Sequence, residues 1–154
     1  MALAPGIRRD AVDYVRDAPQ ISLEGARAVV DAVLAETARR GLELSVAVVD
    51  AGGHLVAFAR TDGAELQTVK VAERKARSAA FTHMPTGPVS RSGNTGSTHH
   101  LLAITLAAGA ENFVTVQGGV PIRSDDRIVG GVAVSGAAHA DGEIAAVGAA
   151  VLAA

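Results

Sequence analysis

The pattern of hydrophobic and polar positions predicts helices in several parts of the chain. Apolar residues recur at helical spacing between Ala26 and Thr37. Ser22 before this stretch favours a helix start, and Gly41 after it favours a helix end. A second long helix is predicted over residues 65–81. Further helices are predicted over residues 8–17, 98–107 and 139–153.

Valine-rich stretches predict the strands. Two of them, within residues 46–60, are joined by the letters DAGG, and adjacent glycines supply the positive φ angles of a tight turn. This hairpin ends on Arg60. Gly130 and Gly131, inside another apolar stretch, indicate close approach of a second backbone, a helix or a ligand. Further strands are predicted over residues 113–117, 120–123 and 127–135. Strands and helices in this order predict an α+β domain with helices packed on an antiparallel sheet.

The chain is predicted to be one domain with a short extension. Pro5 and Pro19 enclose the short polar helix near the start, so residues 1–20 are expected to form an N-terminal helical appendage. Residues 21–154 are expected to form a single domain. Between two predicted helices, residues 87–98 form a polar loop, and loops of this length in compact domains are often functional.

Composition excludes several kinds of function. The chain has no cysteine, which removes disulfides and thiolate chemistry. A net charge of -2 and an aromatic content of 3% argue against a nucleic-acid partner. No stretch approaches the roughly 20 apolar residues of a membrane span, and no signal peptide is evident, so no membrane partner is expected. We therefore expect a cytoplasmic protein, and the abundance of alanine, glycine and arginine indicates a bacterial source.

Two cations are candidates for anion binding. Lys75 lies three residues after Ala72 and four before Ala79, on the small apolar face of its predicted helix. Its ammonium group either binds an anion or moves a proton, or it reaches a surface carboxylate while its stem packs. Arg60, at a strand end, either binds a ligand carboxylate or pairs with a nearby acid such as Asp62.

Histidines provide the candidate metal ligands. His83, His99 and His100 lie on either side of the polar loop 87–98. If the fold brings them together, neutral imidazoles and a water could hold a divalent ion. The alternative is that these histidines are exposed at helix ends, as caps or ligand contacts.

Two further features have both a structural and a functional interpretation. His139, Asp141 and Glu143 begin the last helix, where they either ligate a metal or Asp141 caps the helix. Gly118 and Gly119 either bind an oxyanion through their N–H groups or form a bulge that turns a strand.

Several segments together resemble the GlcG/HbpS-like family of small haem-binding or haem-degrading-type proteins, which also occurs as the C-terminal part of PduO-type adenosyltransferases. Their order and spacing, across nearly all of residues 22–152, make the resemblance specific. These segments are VAVVDAGGHLVAFARTDGA at 46–64, AxxKAxxA at 72–79, Pro85-Thr86, QGGVPI at 117–122, and IVGGVAVSG followed by DxE within 128–143. The region 87–112 departs from the family pattern.

The resemblance implies a five-stranded antiparallel sheet flanked by helices, in a profilin-like layered architecture. It also implies homo-oligomers from dimer to octamer, and haem, iron or corrinoid binding in some members. The closing helix is apolar nearly all round, which independently predicts burial against another chain. Positions that match recurring family positions are Arg60, Lys75, Thr86, Gly118, Gly119, Ser135, Gly136 and Asp141.

Two functions follow as hypotheses. The first is a binding protein that holds haem, or another planar or anionic small molecule, in a pocket near Arg60 and Lys75. The alternative is a tautomerase- or lyase-type enzyme of a bacterial catabolic or biosynthetic pathway, in which Lys75 or His99 moves the proton. A divalent metal at the three histidines is a further hypothesis. The candidate ligand-binding residues are Arg60, Lys75, Thr86, His99, His100, Gly118, Gly119 and Ser135.

Overall fold

The computed structural model describes residues 16–153, so most of the predicted helix 8–17 and of the 1–20 appendage lies outside the described residues, and residues 16–20 are not helical. Within this range, no helix is long and apolar enough to cross a membrane. The helices are α1 (Leu23–Arg40), α2 (Thr68–Thr82), α3 (Thr98–Ala108) and α4 (Asp141–Ala149). Short 3-10 turns, Ala138–Ala140 and Ala150–Leu152, flank α4, where one continuous helix over 139–153 was expected.

The strands form one antiparallel sheet, which confirms the α+β class. In chain order they are β1 (Ser45–Asp50), β2 (Leu55–Arg60), β3 (Gly119–Ser124) and β4 (Arg127–Ser135). Their spatial order is β2-β1-β4-β3, so two hairpins lie side by side with β1 and β4 in the centre.

The prediction of a fifth strand is wrong for the described residues. Residues 113–117 take no part in the sheet. The N–H of Val114 instead donates to the Oγ of Ser78, at 2.8 Å, which attaches this segment to the side of α2. Local apolar composition predicts an extended backbone here, but it does not reveal that a helix side chain supplies the hydrogen-bond partner.

Helices cover both faces of the sheet. Val46 and Val48 of β1 lie in the larger core, with α1 and α4, whereas Ala47 and Val49 face α2 on the other side. This alternation is what the pleat of a strand buried on both faces requires. The α2 side of the core consists almost entirely of alanine and valine, which places the helix backbone close to the sheet.

Glycines in β4 permit this close approach. A Cβ on Gly131 would overlap the carbonyl oxygen of Ala76 in α2, and one on Gly130 would overlap that of Val49 in β1. The expectation that this glycine pair marks close approach of another backbone is therefore confirmed.

Candidate functional site

A buried ion pair connects the two helix layers. Lys75 Nζ lies 2.8 Å from Asp141 Oδ2 and 3.1 Å from the carbonyl oxygen of Val134, at the end of β4. The side chains are only 2% and 6% exposed. The other carboxylate oxygen of Asp141 accepts the N–H of Ala137 at 2.7 Å. Lys75 does turn inward, as its helical spacing predicts, but its ammonium group is already paired.

Gly118 and Gly119 make room for this arrangement. A Cβ on Gly118 would lie 2.8 Å from Lys75 Nζ, so the absence of a side chain lets the lysine reach Asp141. A Cβ on Gly119 would overlap the backbone of Lys75. The N–H of Gly119 donates to Thr86 Oγ1 at 2.8 Å, and the N–H of Thr86 donates to the carbonyl of Gly119 at 2.9 Å. The Gly119 N–H proposed for an oxyanion is thus occupied by Thr86.

Arg60 lies away from this pair. It is opposite Ser45 in the β1–β2 ladder, and Ser45 is opposite Ser135 in β1–β4, so two strand spacings, roughly 10 Å, separate Arg60 from Ser135. Arg60 lines a shallow surface groove with Glu43 and Asp62. The structure therefore brings Lys75 close to Gly118, Gly119 and Thr86. Ser135 is next to Val134, whose carbonyl accepts from Lys75. Arg60, in contrast, does not share a pocket wall with Lys75.

An apolar cavity of about 150 Å³ lies on the other side of Thr86. One side comes from the end of α2 and another from α3, while the backbone around Thr86 and the segment 113–115 close the remaining sides. Polar side chains at this cavity are those of Ser78, Thr82, Thr86, Ser90, His100 and Thr115. Thr86 thus belongs both to the contact with Gly119 and to the cavity wall.

Helix α3, which forms one wall of the cavity, is poorly buried. None of its side chains is buried, although most of the helix is apolar. Leu102 and Leu106 are 58% and 67% exposed, and Ile104, which lines the cavity, is 41% exposed. An eleven-residue helix without buried contacts is only marginally stable in water. The cavity and α3 together therefore form an apolar surface that can accept a flat hydrophobic body.

The cavity has no acidic residue in most of its lining and one arginine at its edge. Residues 74–110, which supply most of its lining, contain no aspartate or glutamate. Arg91 is exposed beside the cavity-lining Ser90, and its Nη2 donates to the carbonyl oxygen of Thr82 at 2.8 Å. An apolar cavity with this rim suits a ligand that combines an apolar body with a negative charge.

The three histidines expected to bind metal are not brought together. His83 ends α2 in a left-handed conformation, with φ 58°, and His99 is exposed on α3, while His100 lines the cavity. In residues 16–153, no three or more His, Asp or Glu side chains form a group that could hold a metal ion. The prediction of a metal site at the three histidines is therefore wrong for the described residues. The alternative group of His139, Asp141 and Glu143 does not form a metal site there either, because Asp141 is paired with Lys75.

Two parts of the site were missed from the sequence. Asp141 was expected to cap a helix or ligate a metal, but it is the partner of Lys75. Arg91 was not singled out at all. The signal that could have found it is the absence of acidic residues from 74 to 110, which leaves an arginine in the polar loop with no local carboxylate.

Comparisons with known proteins agree with this architecture. The profile of the family described as "Haem degrading protein HbpS-like" matches residues 21–151. Protein GlcG of Escherichia coli K12 is 34% identical over 115 residues, which are 75% of this chain and 81% of GlcG. A double mutant of Streptomyces reticuli HbpS superimposes with a TM-score of 0.76 at 30% identity, covering 99% of each chain.

A more distant structure shares the fold. The PduOC:Heme complex superimposes with a TM-score of 0.65 at 22% identity, covering 85% of this chain and 94% of PduOC.

Proposed function

The chain belongs to the HbpS-like family, and on this basis we propose that it binds haem, or a similar planar anionic ligand, at the apolar surface formed by the cavity and α3. The observation that carries the proposal is an apolar cavity that has a histidine on its wall, Arg91 at its edge and no acidic residue within 74–110, the segment that supplies most of its lining. The family description names haem, and PduOC, which shares the fold, is a haem complex.

The size of the cavity determines how such a ligand would sit. Sites that enclose a drug-sized ligand measure roughly 300–1,000 Å³, whereas this cavity measures about 150 Å³. We therefore propose that one edge of the ring enters the cavity, while its face extends over the exposed apolar side chains of α3. This would bury Ile104 and Leu101, which border the cavity.

His100 is the residue that would bind the haem iron, because it lines the cavity. Among the described residues 16–153, its imidazole makes no hydrogen bond. Its backbone N–H donates to Ser97 Oγ, which leaves both ring nitrogens available. A neutral imidazole is a common ligand of haem iron. His99 is one residue away on α3, but its side chain does not line the cavity.

The geometry favours binding over the alternative of an enzyme that uses Lys75. A general base must reach the proton that it removes, within hydrogen-bond distance or through one water. Lys75 Nζ is buried between Asp141 and the carbonyl of Val134, so proton transfer would require this pair to open.

Titration of the purified protein with haemin tests the proposal. We expect a saturable shift of the Soret band with a fixed ratio of haem to chain. The same titration after unfolding in denaturant provides the control for haemin that associates with any polypeptide. A featureless, non-saturating change in the folded protein, equal to that of the unfolded control, would contradict the proposal.

A further inference from the structure

A tight hairpin carries an arginine to the rim of the cavity. Residues 88–96, here called the 88–96 hairpin, pair through the bridge between Val89 and Thr95. The N–H of Ser90 donates to the carbonyl oxygen of Asn94 at 2.9 Å, and the N–H of Gly96 donates to the carbonyl oxygen of Pro88 at 2.8 Å. These bonds hold Ser90 against the cavity and place Arg91 next to it.

Arg91 differs in its contacts from Arg77, an arginine of α2. Arg77 donates to the carbonyls of Gly53 and Glu111, at 3.0 and 2.6 Å, and pairs with Glu73 at 2.8 Å. Arg91 makes one side-chain hydrogen bond, to the carbonyl of Thr82, and it belongs to none of the ion pairs within residues 16–153.

Most of the hydrogen-bonding capacity of Arg91 is therefore free at the rim. A guanidinium group has five N–H donors in a planar fork that matches a carboxylate, whereas an apolar cavity by itself discriminates poorly between ligands. Its contact with Thr82, a residue of the cavity wall, positions the group beside the opening.

We infer that Arg91 binds a carboxylate of the ligand and selects ligands that carry a carboxylate beside a flat apolar body. The inference rests on the proposed function and deepens it. It assigns to one side chain the preference for a ligand with free carboxylates over the same ligand with esterified carboxylates. For haem, the carboxylates are the two propionates, and the ring occupies the apolar surface while a propionate reaches the rim.

The test compares haemin with its dimethyl ester, whose propionates are neutral, in one buffer with the same cosolvent. Wild-type protein should bind haemin about tenfold more tightly than the ester, as expected for one charge-assisted hydrogen-bonded pair. Arg91→Gln should weaken haemin binding by about tenfold and leave ester binding unchanged. Arg91→Lys, which keeps the charge without the fork, should weaken haemin binding by a smaller factor.

Arg27→Gln is the matched control, because Arg27 is an exposed arginine on α1, away from the cavity lining. It removes the same charge and should change neither affinity. Equal weakening of haemin and ester by Arg91→Gln would overturn the inference and leave haem binding intact, as would equal haemin affinities of Arg91→Gln and Arg27→Gln. If wild-type protein binds neither ligand saturably, the proposed function fails, and the inference fails with it.

Discussion

Lys75 Nζ lies 2.8 Å from Asp141 Oδ2, and this contact joins α2 on one face of the sheet to α4 on the other. The lysine passes the backbone at Gly118, where any side chain would obstruct it. Gly119, the next residue, holds Thr86 through two hydrogen bonds, and Thr86 lines the cavity. The ion pair is thus connected to the cavity wall through Gly118, Gly119 and Thr86.

Loss of either partner of this pair should destabilise the protein strongly. Removing one member of a buried ion pair leaves an uncompensated charge, which typically costs about 3–5 kcal/mol. Lys75→Met and Asp141→Asn should therefore each lower the free energy of unfolding by about 3 kcal/mol in denaturant titrations. The double variant should lose less than the sum of the two, because no charge remains unpaired.

Lys70→Met is the matched control for this measurement, because Lys70 is an exposed lysine on the same helix. Its effect should stay within about 0.5 kcal/mol. Equal stabilities of the Lys70 and Lys75 variants would show that the buried pair contributes nothing to folding.

The close packing of α2 on β4 gives a second prediction. Gly131→Ala places a methyl group against the carbonyl oxygen of Ala76, so we expect a loss of about 1–3 kcal/mol through overpacking. Gly142→Ala, in α4, meets no atom within 4 Å and replaces glycine in a helix, so it should be neutral or stabilising by up to about 1 kcal/mol. Thermal unfolding of both variants distinguishes them, and a stable Gly131→Ala protein would contradict the packing argument.

Much of the fold is predictable from local patterns, whereas the site is predictable only in part. The periodicity and caps of α1 and the glycine turn of the first hairpin identify those elements because their causes lie within a few residues. The orientation of Lys75 follows from helical spacing, but its partner does not, because Asp141 is 66 residues away. Arg60 was placed with Lys75 because their elements are consecutive, but the sheet order separates them by β1.

Acidic pH should weaken a surface network between α1 and α4. Hydrogen bonds from Arg39 and Arg40 lower the pKa of Glu36 from 4.5 to about 2, and Arg40 also pairs with Glu143 of α4. Because the folded pKa lies below the unfolded value, this stabilisation is present above about pH 4.5 and is lost as the pH falls towards 2.

The comparison that tests this pH dependence is between wild type and Glu36→Gln. The difference in their unfolding free energies should be largest above pH 4.5 and should shrink as the pH approaches 2. High salt should narrow the difference at neutral pH, because the groups are near the surface. A difference that stays constant over this pH range would contradict the assignment.

The adjacent histidines of α3 should differ in their effect on haem. His100 lines the cavity and His99 does not, so only His100→Ala should remove the axial imidazole. We expect His100→Ala to change the spin state and the Soret position of the haemin complex, and His99→Ala to leave both unchanged. Added imidazole should restore the spectrum of the His100→Ala complex. Identical spectra for the two variants would assign the iron ligand elsewhere.

Self-association is expected from the outer face of α4. Ile144, Ala145 and Gly148 are buried within the chain, whereas Val147 of α4 and Val151 of the 3-10 turn that follows it are about two-fifths exposed. Exposed apolar residues on a short helix favour burial of its outer surface as well, and a second copy of the chain would bury it. Light scattering at micromolar concentration should therefore give a mass above that of one chain.

Charge on that outer face should reverse the association. Val147→Lys would place an ammonium group in the proposed interface and should shift the mass towards one chain, because an unpaired buried charge is costly. Gln67→Lys adds the same charge at an exposed position next to α2, on the other side of the sheet, and should leave the mass unchanged. A wild-type protein with the mass of one chain would refute self-association altogether. A multimer that resists Val147→Lys would instead place the contact elsewhere, and the exposed apolar side chains of α3 would then be the next surface to substitute.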